Sequence, residues 1–558
     1  MQGKVATEVS QNFVREVQKK ADLFNIHGPR LKVLISGREL AVQSNVHEFR
    51  RPEQILHVLP YYVSDDQRKT FTDPQNRLAQ DQRQSWWAAY GKASGNGYTA
   101  MPDVLNRDEL VDITSQPLLN YLVALSFARG NVDFAKESNL NVIYEDLLRA
   151  VHQRVWAEYP HPALKGIDEG QFFRILEEIA LAAWHGDGRT TTVREIEAHC
   201  EQSGLKALLE RFQEGASQGV TRLLLAFYFR QAGHRVSGDK TFEFTHKSFG
   251  EYLTARRIVR GVQLMHDELA RRREYIESGW DERGALTYWA NLCGPTTMDR
   301  YIFKFLCNEV SLRNQSQVKQ WQETLCHLIG FMLRNGMPME RLEPRPVFLE
   351  ETRQSRNAEE ALLATVNAGA RFTETVSVID WPSETAFGEW ISRLQGQRTG
   401  GGNVLSLECL GYIVANLQVL NFRDFHGAIF FRADLNQSQF IYASFRFASL
   451  RGAELQDTVF AEANLRGIDL EGANLEGANL QGANLQRANL QAANLQGAYL
   501  GVANLRGANL QRANLQAANL QGANLENATW TNGKRCLAGS IGKCIQEPDK
   551  PTKKKSRR

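Results

Sequence analysis

Long apolar runs are missing from this 558-residue chain. None approaches the roughly 18 residues needed to cross a bilayer, and Met1-Gln2-Gly3-Lys4 leads into no signal-peptide core. Cysteine is sparse too. The seven cysteines are scattered from Cys200 to Cys544 without a C-x-x-C spacing, which excludes the common zinc and dithiol motifs and points to a reducing cytoplasm. Neither H-E-x-x-H nor G-x-S-x-G occurs, and the twelve histidines form no motif with a cysteine, so no nucleophile stands out. A phosphate-cradling G-x-x-x-x-G-K-[ST] loop is absent as well. Gly3-Lys4, Gly91-Lys92, Gly533-Lys534 and Gly542-Lys543 are none of them followed by Ser or Thr. The adjacent acids Asp65-Asp66 and Glu350-Glu351 diverge on a helix and read as solvated faces.

What is present is the composition of a soluble globular protein, 42% apolar and 23% charged. The length suggests about two to four domains. The net charge of +3 is set by the tail, because Lys550–Arg558 carries six basic residues and the remainder is net acidic. The tail is expected to be a solvated, disordered end, and nucleic acid is not the expected partner.

Three textures follow one another. Residues 1–262 begin as mixed α/β and turn helical, with a helix over Gln11–Phe24 and a short buried strand over Leu31–Ser36. Apolar residues then recur at helical spacing over Asp65–Ala89, Asp108–Arg129, Asn141–Tyr159 and Glu169–Trp184. A two-stranded ribbon is expected at Arg235-Val236 and Thr241–Phe244, with a helix from Ser248. Residues 263–402 read as a helical linker ending at Thr399-Gly400-Gly401-Gly402.

The third texture is a period of five. From Phe425 to Trp530 a large apolar residue occupies every fifth position, usually preceded by Ala and Asn, as in Ala473-Asn474-Leu475 and Ala478-Asn479-Leu480. Five residues on an α-helix advance about 500°, which spirals the leucines onto every face. On a flat strand an odd period sends alternate leucines to opposite sides. One core is served only if the chain turns a corner once per pentad. These residues resemble the A-(D/N)-L-x-x pattern of the pentapeptide-repeat family, which implies a right-handed, four-sided parallel β-helix. The 22 pentads would make 5.5 coils, about 26 Å long at the ~4.8 Å spacing of neighbouring strands. Residues 403–424 would form the entry and N-terminal cap. Trp530 and residues 531–549 would form the C-terminal cap; Cys536 and Cys544 could pair there, and in a reducing compartment a free, packed state is expected. Seven arginines face eight acids along the array, so the rod is near neutral and a poor mimic of DNA phosphates.

A second resemblance concerns the N-terminal part. Phe242-Glu243-Phe244-Thr245-His246-Lys247-Ser248-Phe249-Gly250-Glu251-Tyr252-Leu253 resembles the winged-helix signature that closes the nucleotide module of NACHT-type (STAND) signalling NTPases. Leu31–Arg38 is similar to the sensor-1 strand of that class and Ile113–Leu119 to the start of its first helical subdomain. The resemblance implies a nucleotide-binding core remnant over 1–60, a helical subdomain over 61–190 and a winged-helix-like subdomain over 191–262. It also implies a residual nucleotide site in which Arg38 senses the γ-phosphate, Pro117 packs on adenine and His246 bonds the β-phosphate of ADP. Without a P-loop or a paired-acid strand for Mg²⁺, no hydrolysis is expected, and ADP or ATP would bind only if the missing loop were supplied elsewhere. The chain thus reads as a non-catalytic sensor or docking protein that begins just after the metal-binding strand of its parent. Its expected partners are a protein held by the β-helix and a second copy held through the NACHT-derived region. The alternatives are a nucleotide-independent scaffold and a gyrase-directed DNA mimic.

Overall fold

The computed structural model describes residues 76–136, 139–153, 168–186, 189–208, 229–234, 240–244, 246–396 and 405–547, with scattered positions between 16 and 73. The expected Leu31–Ser36 strand and the basic tail lie outside them. The chain divides into two compact units, Met1–Val151 and His152–Arg558.

In the first unit, helices α1 (Gln82–Ser94) and α2 (Pro117–Arg129) meet at Trp87, and α3 (Leu140–Gln153), most of which lies in this unit, is tied to α2 by Asp146, which accepts from Ser126 Oγ and pairs with Arg129. The Trp87 side chain is fully buried, edge-on to Tyr98 and Phe127, and its indole N–H donates to Asn120 Oδ1 at 3.1 Å. Gly91 is required beside it, because a Cβ there would lie 2.2 Å from the Tyr98 carbonyl oxygen. The helical stretch expected over Asp108–Arg129 is broken. A short helical turn, Val111–Thr114, ends before Gln116, whose extended backbone (φ −86°, ψ 130°) is what a following proline imposes.

The second unit opens with α4 (Glu169–His185), held at its start by a capping box of Asp168 and Gln171. A three-stranded antiparallel sheet follows in the order β1 (Thr191–Thr192), β3 (Lys240–Phe244), β2 (Phe229–His234), with α5 (Val193–Gln202) after β1. A ribbon is present where the sequence led one to expect it, with its described first strand over Phe229–His234; the expected Arg235-Val236 lies outside the described residues. Its register shifts between Gln231 and Gly233, and the extra residue of such a bulge breaks the alternation by which a strand is recognised. Next comes α6 (Lys247–Glu274), which runs unbroken through residue 262. It lies across α4, and a buried ion cluster joins them. Glu177 receives Arg256 at 3.0 Å and Arg260 at 2.7 Å, and Glu178 receives Arg257 at 2.6 Å and Arg260 at 3.2 Å.

Helices α7 (Glu282–Cys293), α8 (Arg300–Ser311), α9 (Gln315–Asn335) and α10 (Phe348–Thr373) complete the helical body. α10 is buried along most of its length because its alanines let neighbouring helices approach closely. No helix among the described residues is long and apolar enough to cross a membrane.

The coil follows. Parallel bridges join residues twenty apart, from Val414↔Asp434 to Asn509↔Thr529, so each turn holds four pentads and has four sides. The Ala and the Leu or Phe of each pentad point inward; from Ala428 to Leu510 almost all are at most 1% exposed. Phenylalanines stack at the coil repeat, with Phe440 and Phe460 centroids 4.8 Å apart and Phe425 and Phe445 4.9 Å apart. Where asparagine precedes the leucine it has two jobs. Its Oδ1 accepts the backbone N–H two residues on, as in Asn489 and Gln491, and its Nδ2 reaches the next coil, as from Asn494 to Asn474 Oδ1 at 3.0 Å. Where alanine is replaced inside, the hydroxyl is satisfied: Ser438 donates to the Ala415 carbonyl and Thr458 to that of Leu455.

Both ends are covered. At the first coil, β4 (Ser377–Val378) pairs in parallel with β5 (Ile413–Val414), and α11 (Ala386–Gln395) and α12 (Leu405–Glu408) close the mouth. Gly388 is needed there, since a Cβ would meet Leu420 Cδ2 at 2.7 Å. At the far end the chain turns back in antiparallel bridges, Thr529↔Arg535 and Asn524↔Ile541. This return corrects one expectation: Cys536 and Cys544 are joined in a disulfide rather than free. The reversal carries their Cα atoms to 5.1 Å, within bridging reach, which their spacing in sequence did not reveal.

Candidate protein-interaction surface

Of the residues named from sequence for a nucleotide site, Arg38 lies outside the described residues. Pro117 is the first residue of α2, exposed, in the first unit. His246 belongs to the second unit and caps α6: its Nδ1 accepts the Ser248 backbone N–H at 3.4 Å and bonds Ser248 Oγ at 2.5 Å. One ring nitrogen is therefore engaged in capping the start of the helix. Among the described residues no cluster of His, Cys, Asp and Glu could hold a metal ion. A cleft of about 360 Å³ beside α10 is lined by Met332, Met337, Met339 and Phe348 over Glu359 and Arg393. Glu359 is committed internally, accepting from Trp390 Nε1, Arg393 and Ser355.

The coil exterior is more distinctive. Because the register repeats every twenty residues, outward residues twenty apart form columns along the rod about 4.8 Å per step. The side containing Phe425, Phe445 and Leu465 carries the column His426, Arg446, Arg466, Gln486, Arg506. Arg487 stands at the adjoining corner. Among the described residues no carboxylate pairs with Arg446, Arg466 or Arg487, whereas Arg506 faces Glu526 at 3.6 Å.

Exposed aromatics edge this side. Phe422 and Tyr442 occupy one corner in successive coils, 76% and 57% exposed, with rings stacked at 5.5 Å and 15°. At the other corner Phe447, 57% exposed, stands edge-on to His426 at 5.8 Å with the Arg446 guanidinium over its face. Phe447 lies down onto the next coil because residue 467 is glycine; a Cβ there would meet its ring at 2.8 Å. Exposed aromatic rings beside arginines are the composition of protein-binding hot spots.

The opposite side, ten residues away in a twenty-residue turn, carries Asp434, Glu454, Asp457 and Glu476. No cation among the described residues pairs with them. Glu454 and Glu476 accept only from Asn474 and Asn494 of the next coil. The two remaining sides differ: one pairs Arg451 internally with Asp469 and Glu471, and the other is nearly uncharged. The rod is neutral in total but polarised across its width. The signal lay in the sequence at a spacing of twenty, and a sum over the whole array concealed it.

Comparison with known proteins agrees with this geometry. The sequence profile described as pentapeptide repeats matches in eight copies over residues 424–457, 453–492 and 488–529. No curated protein matches the chain. Among solved structures, the pentapeptide-repeat protein Rfr23 of the cyanobacterium Cyanothece 51142 is 32% identical over 20% of this chain and 84% of its own, with a TM-score of 0.11. HetL of Nostoc sp. strain PCC 7120, involved in the regulation of heterocyst differentiation, is 27% identical over 22% of this chain and 79% of its own, with a TM-score of 0.09. QnrB1, a plasmid-mediated fluoroquinolone resistance protein, is 18% identical over 22% and 67%, with a TM-score of 0.14. Overlays with TM-scores this low carry no argument; the repeat profile and the twenty-residue bridge register do. Through residues 424–529 this chain is a pentapeptide-repeat protein.

Proposed function

We propose that this chain is a non-catalytic protein-recognition molecule whose right-handed, four-sided β-helix docks a protein partner on its arginine-and-aromatic side. One observation carries the reading: Phe422, Tyr442 and Phe447 are more than half exposed at the corners of the side that carries Arg446 and Arg466, with which no carboxylate among the described residues pairs. Rings left in water next to unpaired guanidiniums are groups that gain by covering. In this reading the helical and winged-helix-like segments descend from a NACHT-type signalling NTPase in bacterial defence. Arg38, Pro117 and His246 would be the remains of its nucleotide site, and self-association would run through the same region.

The test is affinity capture from cells that express the chain. Wild type is compared with Phe422→Ala/Tyr442→Ala/Arg466→Ala and with Asp457→Ala on the opposite side. A protein enriched by wild type and by Asp457→Ala but lost with the triple variant supports the reading, and equal enrichment by all three overturns it. Labelled ADP tests the ancestral site separately. Binding lost in His246→Ala supports a residual site; absence of binding leaves the nucleotide-independent scaffold. A gyrase-directed mimic is disfavoured by the arginines opposite the acids.

A further inference from the structure

We propose that the partner of the arginine side is the acidic side of a second copy of this chain, so that rods associate laterally. This deepens the recognition reading above and rests on it. Three features of the coil carry the inference.

The first is complementarity within one molecule. Arg446, Arg466 and Arg487 have no carboxylate partner, and Asp434, Glu454, Asp457 and Glu476 have no cation among the described residues. Each of the other two sides has one unmatched charge, Glu462 in the column of Phe422 and Tyr442 and Arg512 on the side where Arg451 is already held by Asp469 and Glu471. Only the pairing of the arginine side with the acidic side brings several unmatched charges of opposite sign together. Like-charged sides repel, which selects against the alternatives.

The second feature is pitch. Arg446 and Arg466 follow one another at one coil per residue, and so do Asp434 and Glu454, so both are ruled at the same ~4.8 Å interval. In the next coil Arg487 stands one position off its column and Glu476 two positions off. Identical pitch lets the two in-column pairs meet at once, with the two rods running in either direction. A partner with another spacing would match one charge and miss the next.

The third feature is placement. The two columns lie half a turn apart on a four-sided rod, so a copy that docks on one side leaves its other side open. The contact is heterologous and does not close on itself, and it predicts chains that lengthen with concentration rather than a closed dimer. Association held by exposed charges is screened at high salt, where the Debye length falls to a few ångströms.

The experiment is sedimentation velocity of the full chain over a concentration series at 50 and 500 mM NaCl. It includes two charge-reversed variants, Arg446→Glu/Arg466→Glu and Glu454→Arg/Glu476→Arg. All four positions point outward, so far-UV circular dichroism should match wild type; if a reversal disturbs the coil, Arg446→Gln/Arg466→Gln and Glu454→Gln/Glu476→Gln replace it in the single-variant comparison. At low salt the average mass of wild type should rise with concentration, and its association constant should fall at least tenfold at high salt. Each variant alone should stay monomeric, and mixing the two reversed variants should restore association. Wild type that is monomeric at both salts overturns the proposal, as does association unchanged in both variants, which would place the contact elsewhere. Failure of the mixed variants to associate overturns it too. If wild type stays monomeric while Arg446→Glu/Arg466→Glu still loses a captured protein, the recognition reading stands and the partner is another molecule. If a short DNA duplex binds the arginine side instead, the partner is nucleic acid and both fall.

Discussion

Removing Arg257 should cost far more than removing the pair it belongs to. Glu178 is fully buried on α4, and its Oε1 takes Arg257 Nε at 2.6 Å and Arg260 Nη2 at 3.2 Å. Glu178 Oε2 has no hydrogen-bond partner, so the carboxylate depends on its arginines. In Arg257→Met the anion stays buried with only the longer contact to Arg260. A broken buried pair typically costs about 3–5 kcal/mol, and the surviving contact places this case near about 3. Replacing both partners, Glu178→Leu/Arg257→Met, removes the charge as well as its mate and should recover most of the loss. The readout is hydrogen exchange of the α4 peptide 169–185. A loss of about 3 kcal/mol speeds exchange through local opening by roughly a hundredfold. Equal exchange in single and double variants would refute the reasoning.

Three further outcomes are expected. Burial, helped by neighbouring His199, lowers the His185 pKa to about 3, so between pH 6.5 and about 3 the unfolded chain binds a proton that the fold refuses. Stability should fall as pH drops, by about 1.4 kcal/mol per unit, and His185→Phe should flatten that slope; an unchanged slope in urea titrations would contradict it. Glu251 behaves oppositely: burial and then Asp299 raise its pKa to about 7, so the folded state holds the extra proton between about 4.5 and 7 and stability should fall as pH rises through that window. Glu251→Gln should abolish this trend and melt higher than wild type above pH 7, and a lower melting temperature there would count against it. Cys536→Ser should loosen the C-terminal return by about 2–3 kcal/mol for so short a loop, seen as faster exchange over 531–547 with the coil before it unchanged; protection equal to wild type would show that the bridges alone hold the cap.

Much of the coil was legible because its constraint is local. An alanine, an asparagine and a leucine in each pentad set a corner, a turn bond and a core residue in five positions. The caps were partly legible. The helical segment ahead of the array and Trp530 with the residues after it were expected at the two ends, but the disulfide depends on a chain reversal that no spacing announces. The second strand of the ribbon was legible as Thr241–Phe244, whereas the strand over Phe229–His234 carries a register shift that hides its alternation. His246 was noticed as part of a motif, and the fold shows its ring capping α6. The ion cluster of Glu177 and Glu178 with three arginines escaped notice, since its partners are about eighty residues apart and meet only when α4 and α6 cross.

The sequence alone determined that residues 425–530 wind around a single core, because a five-residue period of leucine, phenylalanine and alanine can bury those side chains in no helix or flat sheet. It also determined the total charge of the rod. Only the tertiary structure decided how that charge is distributed. Closing the turn at twenty residues aligns Arg446 with Arg466 and Glu454 with Asp434, places the two sets on opposite sides, and leaves Phe422 and Tyr442 stacked at a corner. A sum over the sequence is blind to direction; the register of successive coils supplies it.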